Sequence, residues 1–157
     1  MEKMEAHRTG VLHRAFSVFI FNRQGQMLLQ QRALDKYHSG GLWTNACCSH
    51  PRAGEEVSKA ASRRLKEELG FNTTLQPVFD FVYKASFENG LTEHEFDHVY
   101  FGNYDGKISP NPKEVMNVGF ENMENIAAQL QTDPKKFTAW FQLVFDRVYE
   151  WWRLQRS

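Results

Sequence analysis

An apolar run near the start of the chain alternates with polar residues at period two, which is typical of β-strands, and a second, shorter apolar run follows it. The first covers residues 11–22 and the second covers Met27 to Leu29. The residues Asn22-Arg23-Gln24-Gly25 between them supply turn chemistry, so the pair predicts a β-hairpin. Residues 33–46, rich in turn formers around Ser39-Gly40-Gly41, are predicted to form a long loop, and long loops in compact domains are often functional.

Two longer strand patterns occupy residues 75–88 and 91–104. They are joined by Asn89-Gly90, the strongest short signal for a hairpin turn. A proline-rich loop follows at residues 110–112, and a short strand is predicted at residues 115–120. The sheet is therefore expected to extend well beyond the first hairpin.

Three segments show helical periodicity. From Glu55 to Leu69 apolar residues recur at every fourth position, and Gly70 provides a C-cap. A second helix is predicted at residues 122–131, after which Pro134 stands where a first helical turn accepts proline. The last helix presents its apolar residues on one stripe. These residues are Phe137, Trp140, Phe141, Val144, Phe145 and Val148.

The order of strands and helices predicts the fold class. It is the order expected of an α/β protein with a mixed sheet, and specifically of an α/β/α sandwich. A length of 157 residues with 41% hydrophobic and 14% aromatic content is typical of one domain with a sizeable core. We therefore expect residues 1–157 to form a single domain.

Charge and cysteine content narrow the classes of function. Nineteen basic and nineteen acidic residues cancel, so the overall charge gives no reason to expect binding to nucleic acid or to an anionic membrane. No apolar run approaches the ~18 residues of a membrane helix, and residues 1–10 are too polar for a signal peptide. Adjacent cysteines such as Cys47 and Cys48 rarely form a disulfide. We expect a cytoplasmic protein with a small-molecule ligand, as a monomer or weak homodimer.

Two charged residues interrupt the apolar face of the first predicted helix. At the helical period, Arg64 and Glu68 fall among the apolar positions, so their side chains should point inward. Burying a guanidinium and a carboxylate costs several kcal/mol unless they pair or bind a charged ligand. An i,i+4 ion pair at the edge of the core and a functional site both explain this placement.

A second group of polar residues suggests a metal site. If residues 46–50 are extended, Cys48 and His50 project to one side, and Glu93 and Glu95 share a face of their own strand. Two inward-facing carboxylates roughly 7 Å apart along a strand need protons or a cation between them. Imidazole with carboxylate is a usual ligand set for zinc, manganese or iron, although most histidines are surface or packing residues.

The first helix resembles the Nudix signature, which reads Gly-x5-Glu-x7-Arg-Glu-U-x-Glu-Glu-x-Gly-U, where U is a bulky apolar residue. The matching positions here are Ser49, Glu55, Arg63, Arg64, Leu65, Glu67, Glu68, Gly70 and Phe71. Two of them depart from the signature, because Ser49 replaces the leading glycine and Arg64 replaces the first glutamate of the helix. Hydrolytic Nudix enzymes use the acidic cluster to hold metals on a diphosphate, so Arg64 favours binding of a diphosphate over its hydrolysis.

Longer strings resemble the type 1 isopentenyl-diphosphate isomerases, a family with a Nudix-type α/β/α sandwich fold. The matching segments, in order, are EKMEAHRTGVLHRAFSVFIFN, QQRALDKYHSGGLWTNACCSHPRAGE, EHEFDHVY and KKFTAW. The resemblance covers nearly the whole chain and implies an enzyme that interconverts isopentenyl and dimethylallyl diphosphate. Family members usually begin with an extra strand before the segment that matches Lys3, so we expect that strand to be absent and a sheet edge to be exposed.

The resemblance also implies roles for individual residues. The catalytic positions match Cys48, Glu95 and Tyr83. The ligands of a first metal, Zn2+ or Mn2+, match His7, His13, His50, Glu93 and Glu95. The diphosphate-binding positions match Arg32, Lys36 and Arg64, with Lys3 a further candidate, and a Mg2+ that bridges the phosphates would be held by Glu68. The positions that match no functional residue are His38, His94, His98 and Cys47.

The implied reaction explains these residue types. Moving an unactivated double bond requires protonation of one carbon and deprotonation of another, through a tertiary carbocation-like state. Groups on opposite faces of the substrate are needed, and Cys48 and Glu95 are the expected pair, in roles that the sequence leaves open. Trp140 matches the family's indole that faces the cation, although its place on the apolar stripe is also explained by core packing.

Two other functions are compatible with a Nudix fold. The first is a hydrolase of a nucleoside or other diphosphate, and both Arg64 and the predicted metal site speak against it. The second is a non-catalytic Nudix module that binds a metal or ligand. The joint presence of all three expected catalytic residues and of Glu68 argues against this second alternative.

Overall fold

Seven strands and three α-helices make up the part of the chain that the structure describes. This computed structural model describes residues 13–36, 39–86 and 92–156. The strands are β1 (His13–Phe21), β2 (Met27–Arg32), β3 (Trp43–Thr44), β4 (Cys47–Ser49), β5 (Gln76–Ser86), β6 (Thr92–Asn103) and β7 (Val115–Glu121). The helices are α1 (Val57–Leu69), α2 (Met123–Thr132) and α3 (Ala139–Arg156), with a 3₁₀ turn at Pro134–Lys136.

These elements lie within a few residues of their predicted positions, with two corrections. Phe137, predicted to lie on the last helix, precedes α3 in extended conformation, because its backbone pairs with Trp43. β3 lies inside the segment that was predicted to be a loop. It forms because Trp43 and Thr44 pair with Gln31 and Gln30 of β2, a contact that local turn composition does not reveal. The other predicted loop residues, as far as the structure describes them, connect β2 to β4.

All seven strands belong to one mixed sheet. The strand order is β3-β2-β1-β6-β5, with β4 paired to β1 and β7 paired to β2. β1 and β6 run parallel, with His13 opposite Glu95, whereas the remaining strand pairs are antiparallel. β5 and β6 form the predicted antiparallel pair, although the Asn89-Gly90 turn between them lies outside the described residues. The predicted mixed α/β class is therefore confirmed.

Side-chain alternation along β1 builds a hydrophobic core on each face of the sheet. One cluster lies against α1 and includes Val18, Ile20, Ala61 and Leu65. The other lies against α2 and α3 and includes Phe19, Phe21, Ile126, Phe141 and Phe145. The two helical layers give the predicted α/β/α sandwich. Within the described ranges, no helix combines the length and apolar character needed to cross a membrane.

The short strand β4 connects these two cores. Its residues pair with β1 so that Cys48 lies opposite Ser17 and Cys47 lies opposite Val18. Cys47 belongs to the α1 cluster, whereas Cys48 packs against the cluster formed with α3. Adjacent cysteines therefore lie in different environments on opposite faces of the sheet.

Gly70 ends α1 in the left-handed conformation, with φ 77° and ψ 17°. Its N–H donates a hydrogen bond to the carbonyl of Lys66 at 2.9 Å. The carbonyl of Leu69, the last residue of the helix, accepts a hydrogen bond from the N–H of Ser109 at 2.9 Å. A Cβ added at Gly70 would stand 2.8 Å from the carbonyl oxygen of Ser109. Both the backbone conformation and this close approach therefore require glycine.

We predict that Gly70→Ala lowers the free energy of unfolding by about 2–4 kcal/mol, because left-handed strain adds to overlap with Ser109. Gly54 provides the matched control, since its φ is 76° and a Cβ there would meet nothing within 4 Å. Gly54→Ala should cost only the conformational part, about 1–2 kcal/mol. Urea unfolding of both variants measures the difference, and equal losses would contradict a role for the Ser109 contact.

Candidate active site

Cys48 is held by polar contacts at the junction of β4 and α3. Its thiol donates to Oδ1 of Asn45 at 3.1 Å, and its sulfur accepts a hydrogen bond from Nε1 of Trp140 at 3.0 Å. Ser17 Oγ lies 3.5 Å from the sulfur. The Asn45 amide nitrogen donates to two backbone carbonyls, at 2.9 and 3.0 Å, which fixes the orientation of the amide. The sulfur atom is thus positioned by residues that are themselves fixed.

Burial, together with the smaller effect of the nearby Asp97 carboxylate, raises the pKa of the Cys48 thiol to about 12. Opposing effects, including the positive charge of Arg32, are smaller. At neutral pH the group is therefore a thiol that carries a transferable proton.

A buried carboxylate that the sequence analysis did not identify lies behind Cys48. Asp97 is 3% exposed, and its Oδ2 accepts a hydrogen bond from Ser17 Oγ at 3.0 Å. Because Asp97 follows Glu95 by two positions on β6, both side chains point to the same face. This spacing was the available signal for Asp97. No pattern indicated the roles of Ser17 or Asn45.

The structure brings His50 and Glu95 together. Nε2 of His50 lies 2.6 Å from Oε1 of Glu95, which is 7% exposed. An imidazole nitrogen and a carboxylate oxygen directed at one another are donor types that zinc and manganese bind, so this pair fits part of the expected ligand set. Among the residues that the structure describes, no group of three or more His, Cys, Asp or Glu side chains could hold a metal ion.

The remaining expected metal ligands are not described as side chains. His7 lies outside the described residues. The backbones of His13 and Glu93 are described, but their side chains are not. The backbone register nevertheless puts His13 directly opposite Glu95, on the strand that lies between β4 and β6. These three residues stay predictions.

Trp140 and Tyr83 form an aromatic wall beside the thiol. Both are buried, and their rings meet edge to face with centroids 6.5 Å apart. The guanidinium of Arg32 lies over the indole, 5.2 Å from its centroid, after a register shift between Gln31 and Arg32 in β2. Such a bulge redirects the side chain that follows it. Trp140 thus belongs to the core, with one ring face towards the guanidinium of Arg32, and its role towards a substrate cation stays a prediction.

Arg64 contacts three carboxylates. Its guanidinium reaches Glu68 at 3.0 Å, Glu67 at 2.6 Å and Glu114 at 2.6 Å. The contacted oxygen of Glu114 also lies 3.3 Å from Nζ of Lys36. Although burial lowers it, the neighbouring carboxylates raise the pKa of Arg64 above its ordinary value. The expected i,i+4 pair with Glu68 is present, but it belongs to a larger cluster.

Glu68 is nearly enclosed, with 5% of its surface exposed. Its Oε1 accepts a hydrogen bond from Gln30 at 3.0 Å, and its Oε2 accepts one from the thiol of Cys47 at 3.3 Å. Burial raises the pKa of Cys47 well above its ordinary value, so the thiol acts as a donor. Cys47 therefore supports the carboxylate of Glu68, a contact that the sequence analysis did not anticipate.

Of the three histidines that match no functional position, only His98 has a described side chain. His98 contacts Asp80 at 2.9 Å and the ring of Phe96, on the partly exposed outer face of β5 and β6. Lys3 and His38 lie outside the described residues, as does the side chain of His94. The described site thus has two parts. Cys48 and Glu95 lie on the face of the sheet that carries α3, whereas Arg64 and Glu68 belong to α1 on the opposite face.

Arg63 forms an ion pair with Glu55 that anchors the start of α1, and it also contacts Glu67 at 3.2 Å, which Arg64 shares. Its Nε and Nη2 each lie 2.9 Å from an oxygen of Glu55, which also accepts from the backbone N–H of Arg52 at 2.9 Å. The hydrogen bonds from Arg63 are the largest cause that lowers the pKa of Glu55 to about 2. This bidentate pair joins the loop after β4 to α1.

We predict that the stabilising effect of Glu55 depends on pH. Its pKa falls from 4.5 to about 2 on folding, so the contribution is fully present above pH 4.5 and is lost as the pH falls towards 2. Urea midpoints of the wild type and Glu55→Gln, compared from pH 6 downwards, measure it. The difference between the two urea midpoints should be largest near pH 6 and should become smaller in acid. A difference that does not depend on pH would contradict the ion pair.

Comparison with known proteins gives consistent relatives. The NUDIX domain profile matches residues 11–141. The isopentenyl-diphosphate Delta-isomerase of Pectobacterium atrosepticum is 51% identical over 100% of this chain and 88% of its own length. The corresponding enzyme of Serratia proteamaculans is 47% identical over 99% of this chain and 89% of its own length. The isopentenyl-diphosphate Delta-isomerase of Burkholderia multivorans is 49% identical over 94% of this chain and 84% of its own length.

Solved structures resemble the fold at low sequence identity. A MutT protein from Methanosarcina mazei has a TM-score of 0.71 at 16% identity, covering 93% of this chain and 96% of that one. A MutT NUDIX hydrolase from Burkholderia pseudomallei has a TM-score of 0.68 at 21% identity, covering 87% and 98%. These likenesses establish the shared fold alone.

Proposed function

The chain belongs to the Nudix superfamily and, within it, to the isopentenyl-diphosphate Delta-isomerases, and from this membership we propose that it interconverts isopentenyl and dimethylallyl diphosphate. The observation that carries the proposal is a protonated thiol, that of Cys48, bonded to the N–H of an indole whose face accepts a cation. This combination suits a reaction that transfers protons around a transient positive charge.

Proton transfer falls to two groups on the same face of the sheet. Cys48 on β4 and Glu95 on β6 flank β1, so that a substrate lying between their side chains can be protonated on one side and deprotonated on the other. The reverse reaction uses the same groups with their roles exchanged. Glu95 is buried and Cys48 is partly buried, which limits the access of water to a carbocation-like state.

A metal bound by His50 and Glu95, together with His7, His13 and Glu93, would tune the acidity of the Glu95 carboxylate. We propose Zn2+ or Mn2+ for this position. Nε2 of His50 and Oε1 of Glu95 already point at one another at 2.6 Å, and a metal bound to both would replace this direct contact. The donor types of His50 and Glu95 support this assignment, and the remaining three ligands rest on the family resemblance.

Trp140 and Tyr83 stabilise the positive charge that develops on the carbon skeleton. The indole face attracts a cation by about 2 kcal/mol or more when water is excluded. The contact between Arg32 and this face supports its use by a positive group. The N–H edge of the same indole is already bonded to Cys48, so the ring is aligned with the thiol.

The diphosphate is bound by Arg32, Lys36 and Arg64, with Lys3 as a further candidate. Fixed positive charge at position 64 replaces the carboxylate that a hydrolase would use to gather metals around the bridging oxygen. A Mg2+ held at Glu68 would neutralise part of the phosphate charge. Hydrolysis of a diphosphate is the second candidate function, because the fold is shared with MutT proteins, and the assay below separates the two.

The proposal predicts formation of dimethylallyl diphosphate from isopentenyl diphosphate, followed by NMR, without release of phosphate. Cys48→Ala should lower kcat by about 10²–10⁴-fold, because it removes a proton-transfer group, and should leave the fold intact, with a loss of about 1–3 kcal/mol for the hydrogen bonds of the sulfur. Cys47→Ala is the matched control on the same strand and should cost less than about tenfold, since it loses only a contact to Glu68. Equal losses in the two variants would show that the wrong cysteine was assigned.

We predict that Arg64→Glu lowers kcat/KM by about ten- to hundredfold, because a charge-assisted contact to the phosphates is lost and another carboxylate joins the cluster. Arg63→Gln is the control. Because Arg63 pairs with Glu55, this change should lower the free energy of unfolding and leave KM nearly unchanged. Steady-state kinetics of both variants decide between these effects. Metal-dependent release of phosphate by the wild type, with no double-bond migration, would overturn the isomerase assignment.

A further inference from the structure

Glu114 lies between two of the cations assigned to the diphosphate. A single oxygen, Oε1, is 2.6 Å from Nη2 of Arg64 and 3.3 Å from Nζ of Lys36. Lys36 lies in the loop after β2, Arg64 on α1 and Glu114 just before β7, so three separate parts of the chain meet at this oxygen. All three side chains are about one-fifth exposed, which leaves the cluster open to a ligand.

The backbone around Glu114 fixes its carboxylate relative to Lys36. The carbonyl of Glu114 accepts a hydrogen bond from the N–H of Ala33 at 3.0 Å, and its own N–H donates to the carbonyl of Asn111 at 3.0 Å. The next residue, Val115, pairs with Arg32 at the end of β2. The segment that carries Glu114 is therefore joined by backbone contacts to the segment that carries Lys36.

Two cations that contact the same oxygen lie within about 6 Å of each other, a distance at which they repel. A carboxylate between them offsets that repulsion. Although burial opposes it, the bond from Arg64 lowers the pKa of Glu114, so the carboxylate is charged at neutral pH. Without Glu114, the flexible side chain of Lys36 would lose its ion pair, and the two cations would separate.

We infer that Glu114 is a positioning residue that holds Lys36 and Arg64 at the spacing needed to bind a diphosphate together. The inference rests on the proposed function, since it concerns the same substrate. Glu114 is not a catalytic residue, because it acts through the two cations. Two other roles make opposite predictions: a simple ion pair would affect stability alone, and a competitor for the cations would weaken diphosphate binding.

The test is Glu114→Gln, which keeps the shape of the side chain and removes its charge. We expect the KM for isopentenyl diphosphate and the Kd for inorganic pyrophosphate, measured by calorimetry, to rise together by about tenfold. The value of kcat should change by less than about threefold, because the proton-transfer groups are untouched. Glu114→Asp, which retains the charge, should restore part of the affinity.

Glu67→Gln is the matched control. Glu67 also contacts Arg64 at 2.6 Å but has no contact with Lys36, so the pyrophosphate Kd should change by less than about twofold. Adding Lys36→Ala to each variant tests the coupling directly. In the Glu67→Gln background, Lys36→Ala should raise the pyrophosphate Kd by about tenfold. In the Glu114→Gln background it should hardly change the Kd, because Lys36 is already misplaced there.

An unchanged pyrophosphate Kd in Glu114→Gln would reduce the contact to a simple ion pair and overturn the inference. A lower Kd would identify Glu114 as a competitor and would overturn it as well. Pyrophosphate binding does not require isomerisation, so the two hypotheses can fail separately. A wild type that binds pyrophosphate in a Glu114-dependent way but moves no double bond would refute the proposed function alone.

Discussion

The alternation of side chains along β4 is the constraint on which the site depends. Because β4 pairs with β1 inside the sheet, successive residues must point to opposite faces. Cys47 therefore meets Glu68 beneath α1, and Cys48 meets Trp140 beneath α3. One short strand links the carboxylate proposed to hold a magnesium ion with the thiol proposed to transfer a proton. A shift of one residue in this pairing would exchange the two cysteines and separate both groups.

We propose that the charge at position 64 suits this fold, which MutT proteins share, to binding a diphosphate. The fold positions a helix beside the sheet, but the chemistry depends on which side chains that helix presents. Here a guanidinium lies among Glu67, Glu68 and Glu114, where it contributes a fixed positive charge. The two more buried carboxylates, those of Glu68 and Glu114, offset the cost of its burial and hold it in place. We infer that this cluster is organised for binding phosphates.

Contacts outside the reacting groups hold α1 in the position that this cluster requires. The bidentate pair of Glu55 and Arg63 fixes the beginning of the helix, and the close approach of Gly70 to Ser109 fixes its end. On the other face, Asn45 uses its whole amide group to connect Cys48 with the backbone of two strands. Stability and function are therefore coupled, because these anchors also orient the proposed site.

The sequence alone determined the properties that depend on neighbours along the chain. Period-two and helical patterns predicted the strands, the helices and the inward direction of Glu68, and the motif strings indicated the family. The roles of Cys48, Glu95 and Tyr83 stay predictions that rest on that resemblance, as do those of His7, His13, Glu93 and Lys3. Only the tertiary structure revealed the contacts of Arg64 with Glu114, of Ser17 with Asp97 and of Cys47 with Glu68. These pairs join residues far apart in the chain, and strand register and helix packing decide which of them meet, whereas local periodicity fixes only the direction in which each side chain points.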